Sequence, residues 1–176
     1  MIFLLNVTAW LFIHFLGAYI PSKFNSAFIQ RFSWLYPVHQ WEISVYETLK
    51  IKKWKEKLPD GGDWTKGGIK KKDINIRNKE GIERFLLETK RAELSHLLQI
   101  LPAPLFFTFN DPISGVIMII YACCFNTPFI MIQRYNRFRL IRCLSRPGYC
   151  RNPFDKSRGV TGTQAYNKGN EEKTRM

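Results

Sequence analysis

Two short stretches of this chain hold the residue types that proton transfer and anion binding require. The first, ETKRAELSH (88–96), places Glu88, Lys90, Arg91, Glu93 and His96 within nine residues. Histidine can take and return a proton near neutral pH. Glu93 stands three residues before it, within helical reach of the imidazole. The second stretch, QRYNRFRLIR (133–142), sets Gln133, Tyr135 and Asn136 among Arg134, Arg137, Arg139 and Arg142. Guanidinium forks beside amide side chains are suited to gripping a phosphate or carboxylate. Arginines after an apolar segment also mark a cytoplasmic stop-transfer flank. Topology alone, however, gives no reason for Gln133, Tyr135 and Asn136.

Both clusters abut apolar segments that must position them. Averaged over 176 residues the hydropathy is that of a soluble protein, but the apolar residues come in blocks. MIFLLNVTAWLFIHFLGAYI (1–20) and ISGVIMIIYACCFNTPFIMIQ (113–133) each have the ~20 residues a helix needs to cross a bilayer. LSHLLQILPAPLFFTF (94–109) is shorter, and crosses only with its polar first turn at the interface, or is re-entrant. On a helical wheel Leu86, Leu87, Leu94, Leu97, Leu98 and Leu101 share one arc. Glu88, Ala92, Ser95 and Gln99 line the other, flanked by Arg91 and His96. Lipid contact at His96 or Gln99 is costly, so this stripe is expected to face protein or a watery cleft. Asn126 and Pro128 of NTPF bring a polar group and freed backbone carbonyls into the last segment.

The net charge of +13 admits nucleic acid or an anionic membrane face as partner. Its distribution favours the membrane. Residues 21–96 hold 16 Lys and Arg and residues 134–176 hold 11, with none in 1–20 or 97–133. That is the positive-inside pattern, and no nucleic-acid module is recognisable. The expected fold is therefore an all-α, small polytopic membrane protein. Residues 1–20 form a transmembrane anchor, or a signal-like segment lacking a basic start and a convincing cleavage site. Residues 21–93 form a basic cytoplasmic or interfacial region, 94–133 a membrane hairpin turning outside at 110–112, 134–146 an Arg-rich interfacial motif, and 147–176 a disordered tail. Within the basic region, residues 25–49 are aromatic-rich, suited to the headgroup level or to a small cytoplasmic core. KIKKWKEK (50–57) suits an anionic lipid surface or a solvated face. GGDWTKGGIKKKD (61–73) reads as a mobile loop, and Asn78 as an N-cap for a helix running to Pro102. This topology places the start of the second membrane helix and the end of the third at the same cytoplasmic face, where the two polar clusters would meet.

A pocket made there, polar above an apolar floor, suits a reaction between a lipid and a soluble donor with an anionic head. His96 is the candidate base on a hydroxyl, oriented by Glu93 or Glu88, and Arg or Asn the stabiliser of an oxyanion. A metal centre is not expected: Glu-x-x-His occurs once where a di-metal site needs a second copy. The chain has no Gly-x-Ser-x-Gly elbow, no His-Glu-x-x-His and no phosphate-binding glycine loop. No histidine has an aspartate five residues later, as many soluble-headed acyltransferases do. His14 and His39 are expected to be structural. Cys123 and Cys124 are expected as small packing residues, and the four cysteines as reduced thiols.

ETKRAELSH with ILP (100–102), and NTPFIMIQRYNRFRL (126–140), closely resemble the paired motifs of the glycosyl-diaponeurosporenoate acyltransferase family. KWKEKLPDG (53–61) and IPSK (20–23) are weaker shared blocks. The resemblance spans roughly residues 1–145. It implies an integral membrane enzyme of staphyloxanthin biosynthesis that esterifies the glucose C6 hydroxyl of a glycosylated C30 carotenoid acid with a fatty acyl group. On this reading the donor is acyl-CoA or an acyl-carrier protein, no further cofactor is needed, and the partners are the carotenoid glycoside and an anionic membrane surface. Lys90, Arg91, Gln133, Arg134, Asn136, Arg137 and Asn126 become the substrate- or donor-binding set around His96. An acyltransferase for another glycolipid, or a scaffold whose clusters only pin a hairpin, remain the alternatives, and the sequence does not speak to oligomeric state.

Overall fold

The computed structural model of the chain describes residues 2–55 and 79–145. The expected loop at 61–73, the Asn78 cap, the tail 147–176 and most of KWKEKLPDG lie outside them. Among the described residues every element is helical: α1 (Ile2–Ser22), α2 (Ser26–Arg31), α3 (Gln40–Thr48), α4 (Ile51–Trp54), α5 (Lys79–Ile100) and α6 (Pro112–Ser145). Short 3-10 turns occupy Ser33–Leu35 and Ala103–Thr108.

Helices α1, α5 and α6 form a three-helix bundle. Asn6 near the start of α1 exchanges side-chain hydrogen bonds of 2.9 Å with Asn110, in the turn between α5 and α6. Past the end of α1, the Phe24 carbonyl accepts from Arg91. Helix α1 therefore runs antiparallel to α5 and parallel to α6. Both polar clusters lie at the end of the bundle away from the 110–112 turn.

The stretch 94–109 is not one straight helix. α5 ends at Ile100, because Pro102 lacks an N–H and disfavours helical geometry in the residue before it. A 3-10 turn then carries the chain to α6. Among the described residues, two helices, α1 and α6, are long and apolar enough to cross a membrane. At 34 residues α6 is ~51 Å long, well beyond the ~30 Å hydrocarbon core. The Arg-rich stretch from 134 is thus the continuation of that helix and not a separate unit.

The membrane-length helices bury polar, small and a few aromatic residues and expose aliphatic and phenylalanine side chains. Asn6, Trp10, Gly17 and Pro21 form the buried side of α1, while Phe3, Leu4, Leu11, Phe12 and Phe15 are exposed. On α6, Gly115, Ala122 and Asn126 are buried, and Ile113, Val116, Ile117 and Ile120 are exposed. Water penalises such a surface and lipid does not. Trp10 stacks on Phe106 at 4.8 Å and packs with Ala103 and Ala122, closing the turn end. At the other end Ile82 and Phe85 pack on Leu140 and Cys143.

Residues 25–55 fold against the polar end. Asn25 caps α2, its side chain accepting from Phe28 N–H at 2.8 Å. Ile43, Tyr46 and Ile51 bury against Ile132 of α6. Trp34 and Trp41 stay outside at 73% and 67% exposure, so the aromatic residues divide between a small core and the surface. Lys50 adopts a left-handed φ of 52°, turning α4 so that Lys55 reaches Asn136 Oδ1 at 2.9 Å.

Gly17 permits a close approach of α1 to α5. Its carbonyl accepts from Ser95 Oγ, and a Cβ built on it would fall inside the Gln99 side chain. Gly17→Val should therefore lower the thermal midpoint in detergent, by an overpacking cost of about 1–3 kcal/mol. Leu11→Val on the exposed side should leave it nearly unchanged. Equal midpoints for the two variants would show that α1 does not pack as described.

Candidate active site

Lys90, Glu93, His96 and Gln99 recur every third residue of α5. Such a row winds slowly around a helix, and each of its members meets a different layer of the bundle.

Glu93 is 1% exposed and lies between two arginines of α6. Its Oε1 accepts from Arg134 Nη1 at 2.7 Å, and its Oε2 from Arg137 Nη2. Arg134 also makes a bidentate pair with Glu42 of α3, Nε to Oε2 at 2.7 Å and Nη2 to Oε1 at 3.0 Å. Its remaining hydrogens meet the Pro37 carbonyl at 2.6 Å and the Leu35 carbonyl at 3.4 Å. Glu42 is equally saturated, accepting in addition from Tyr46 OH at 2.7 Å and the His39 N–H at 3.0 Å. Burial alone would raise the Glu42 carboxyl, but the hydrogen bonds from Arg134, Tyr46 and His39 and the Arg134 charge outweigh it and hold the pKa at about 2.

This geometry corrects the expected partner of His96. Glu93 is held by the two arginines, and Glu88 pairs with Arg91. The imidazole instead meets Asn126 of α6, Nδ1 to Oδ1 at 2.9 Å, and stacks on Phe129 at 4.8 Å. Asn126 is fully buried, and its Nδ2 donates to the Ala122 carbonyl at 2.9 Å. That bond fixes the amide orientation, so Oδ1 accepts and His96 Nδ1 carries the proton. Nε2 is then the basic nitrogen, in the tautomer a general base on a hydroxyl needs. Asn126 takes the orienting role that the sequence suggested for a glutamate.

The predicted donor-binding residues divide. Arg134 has every hydrogen engaged and acts as a tie between α3, α5 and α6. Arg91 lies two residues from Glu93, 200° around α5, and faces Phe24. It is not part of the cluster with Arg134 and Arg137. Gln133 makes no hydrogen bond there. Arg137 and Asn136 are buried, with donors still unpartnered, and Lys90 lies over the Tyr36 ring.

Gln99 reaches His14 of α1, Oε1 to Nδ1 at 2.6 Å, and His14 Nε2 meets Tyr121 OH at 3.2 Å. Both His14 nitrogens are thus occupied, in a cross-link between three helices. Among the described residues, no group of three or more His, Cys, Asp or Glu could hold a metal ion.

Glu42, Tyr36 and Lys55 were not singled out in the sequence as residues of the site. Glu42 carried a signal, as the first acidic residue of the chain, standing in an aromatic segment. A carboxylate alone there needs a cation from elsewhere.

A family model described as glycosyl-4,4'-diaponeurosporenoate acyltransferase matches residues 32–146, which contain the polar row, Glu42, Asn126 and both arginines. Two proteins named glycosyl-4,4'-diaponeurosporenoate acyltransferase, from Staphylococcus aureus strains Newman and N315, are each 36% identical to the chain over 139 residues. The match covers 76% of this chain and 81% of each relative. The chain belongs to this acyltransferase family. No solved structure matches it. As a family member it places the acid–base candidate and the arginine cluster within the matched region, whereas His14 and Gly17 of α1 precede it.

Breaking a buried ion pair from one side leaves a bare charge and typically costs about 3–5 kcal/mol. Arg134→Met should therefore reduce folded protein in membranes sharply, as read by detergent extraction and size-exclusion profile. A wild-type yield would remove Arg134 from its tie role. The depressed Glu42 carboxyl contributes stability above about pH 4.5, which is lost as the pH falls toward about 2. Acid titration of the thermal midpoint should show this loss, and Glu42→Gln should flatten that part of the curve from a lower starting midpoint.

Proposed function

We propose that this protein is an integral membrane enzyme that esterifies the glucose C6 hydroxyl of glycosyl-4,4'-diaponeurosporenoate with a fatty acyl group. The acyl donor is a thioester, of coenzyme A or of an acyl-carrier protein. The observation that carries the reading is His96, oriented by Asn126 with Nε2 unpaired, in a chain of an acyltransferase family. The exposed apolar faces of α1 and α6 support membrane embedding. The positive-inside distribution of Lys and Arg supports a cytoplasmic location for the polar end.

In this mechanism the polyene lies in the lipid and its sugar reaches the level of His96. Nε2 removes the proton of the C6 hydroxyl as its oxygen attacks the thioester carbonyl. The tetrahedral oxyanion collapses, the C–S bond breaks, and the thiolate takes the proton back from the imidazolium, leaving the ester and a free thiol. Asn126 holds the ring in the required tautomer throughout.

In a host that makes the glycosylated C30 carotenoid acid, mass spectrometry of extracted pigments should find its acyl ester with this protein. His96→Gln should lower ester formation by about 10²–10⁴-fold at equal membrane abundance, the usual contribution of a general base. Asn126→Ala should lower it less. Ester formation by His96→Gln at the wild-type rate would reject His96 as the base, and an ester on a different glycolipid would reject the acceptor.

A further inference from the structure

Among the described residues, the layer beyond Glu93 holds more positive charge and more hydrogen-bond donors than the groups around it satisfy. Arg137 is 2% exposed, yet only its Nη2 has a partner, Glu93. Its Nε and Nη1 are buried with none. The Tyr36 hydroxyl is likewise buried and unpartnered. Two cations lie against this one ring, Arg137 Cζ at 5.5 Å from its centroid and Lys90 Nζ at 5.7 Å. Next along α6, Asn136 Nδ2 is another buried donor without a partner, its Oδ1 being held by Lys55.

Among the described residues three cations meet in this layer, Lys90, Arg134 and Arg137, and the two carboxylates beside them, Glu42 and Glu93, are committed to the arginines. Burial, and after it the Arg137 charge, pulls the Lys90 ammonium below its ordinary pKa. Burial and then Glu93 push the Tyr36 phenol up, so it remains a donor. Each buried donor left unmatched carries an uncompensated desolvation cost, and native structures rarely tolerate several together without a ligand.

We infer that Arg137 Nε and Nη1, Tyr36 OH and Lys90 Nζ form a buried site for a phosphate group carried by the acyl donor. The inference rests on the acyl-transfer reading only for the identity of the ligand. Lys90 stands six residues before His96, ~9 Å along α5. An anion there is too far from the base to be the oxyanion of the reacting carbonyl, whose donors must lie within ~3 Å. It suits a phosphate joined to the acyl group through a spacer. Two ligands share that chemistry: the phosphopantetheine arm of the thioester donor, arriving from the aqueous side, and a phospholipid headgroup, arriving from the bilayer.

The test uses the purified full chain in uncharged detergent micelles. Thermal midpoints are measured with inorganic phosphate, pyrophosphate or coenzyme A, against sodium chloride at equal ionic strength. The wild type should be stabilised by phosphate and more strongly by its larger relatives. Lys90→Gln removes a charge held close to Arg137 and breaks no ion pair, so it should fold at least as well without anion. It should bind the anions about 10-fold or more weakly, as expected for loss of a charge-assisted hydrogen bond. Tyr36→Phe, which deletes only the hydroxyl, should weaken them less. Displacement of phosphate by coenzyme A supports the assignment to the acyl donor, and displacement by phosphatidylglycerol added to the micelles instead of by coenzyme A assigns the site to a lipid headgroup and overturns it. Wild-type protein showing no anion effect beyond chloride, or Lys90→Gln responding equally, overturns the site. Ester formation without an anion effect rejects the site alone. An anion effect lost in Lys90→Gln without any ester upholds the site and rejects the acyl-transfer reading.

Discussion

The Glu93 carboxylate, shared between Arg134 and Arg137 in a layer closed to solvent, is the interaction on which the rest of the arrangement depends. A buried carboxylate is tolerated only when its charge is matched and its lone pairs are filled. Matching it with two guanidinium groups leaves an excess cation, and Glu42 of α3 answers that excess through a bidentate pair with Arg134. One charge requirement thereby docks the 33–48 segment onto the bundle and sets the register of α5 against α6. Carbonyls at Leu35 and Pro37 complete Arg134, so the residue is rigid by saturation.

From that layer the i,i+3 row on α5 carries polarity in both directions. Toward the turn end it delivers His96 to Asn126 and Gln99 to His14, each on a different neighbouring helix. Toward the other end it delivers Lys90 to the Tyr36 ring. Because α1 and α6 present apolar faces outward, the row is enclosed by helices and a lipid-compatible surface. An imidazole in such surroundings meets little competing water, which strengthens each directed hydrogen bond around it.

The polar clusters, their helical setting and their convergence at one end of the bundle were legible from residue types, spacing and the block pattern of charge. Local reasoning failed where two partners were possible for one group. Glu93 is within helical reach of His96, and nothing in the sequence says that two arginines forty residues later reach it first. Arg134 and Arg137 look alike in the motif, yet one is saturated and the other has unpartnered hydrogens. Arg91 looked like a member of the set and faces the link between α1 and α2 at Phe24. His14 was expected to be structural, as it is, but its partners, both more than eighty residues away, could not be named from the sequence.

Composition, charge blocks and apolar segment lengths by themselves determined a helical chain with two membrane-length helices and basic regions flanking the apolar hairpin. Segment hydropathy and helix-breaking residues are local properties that need no distant contact to act. Which carboxylate neutralises which arginine, which amide orients the histidine and which donors remain unmatched were decided only by the tertiary structure. Those outcomes follow from competition for partners in a dry interior. That competition is resolved only when α3, α5 and α6 are brought together and each buried charge takes the nearest group that can satisfy it.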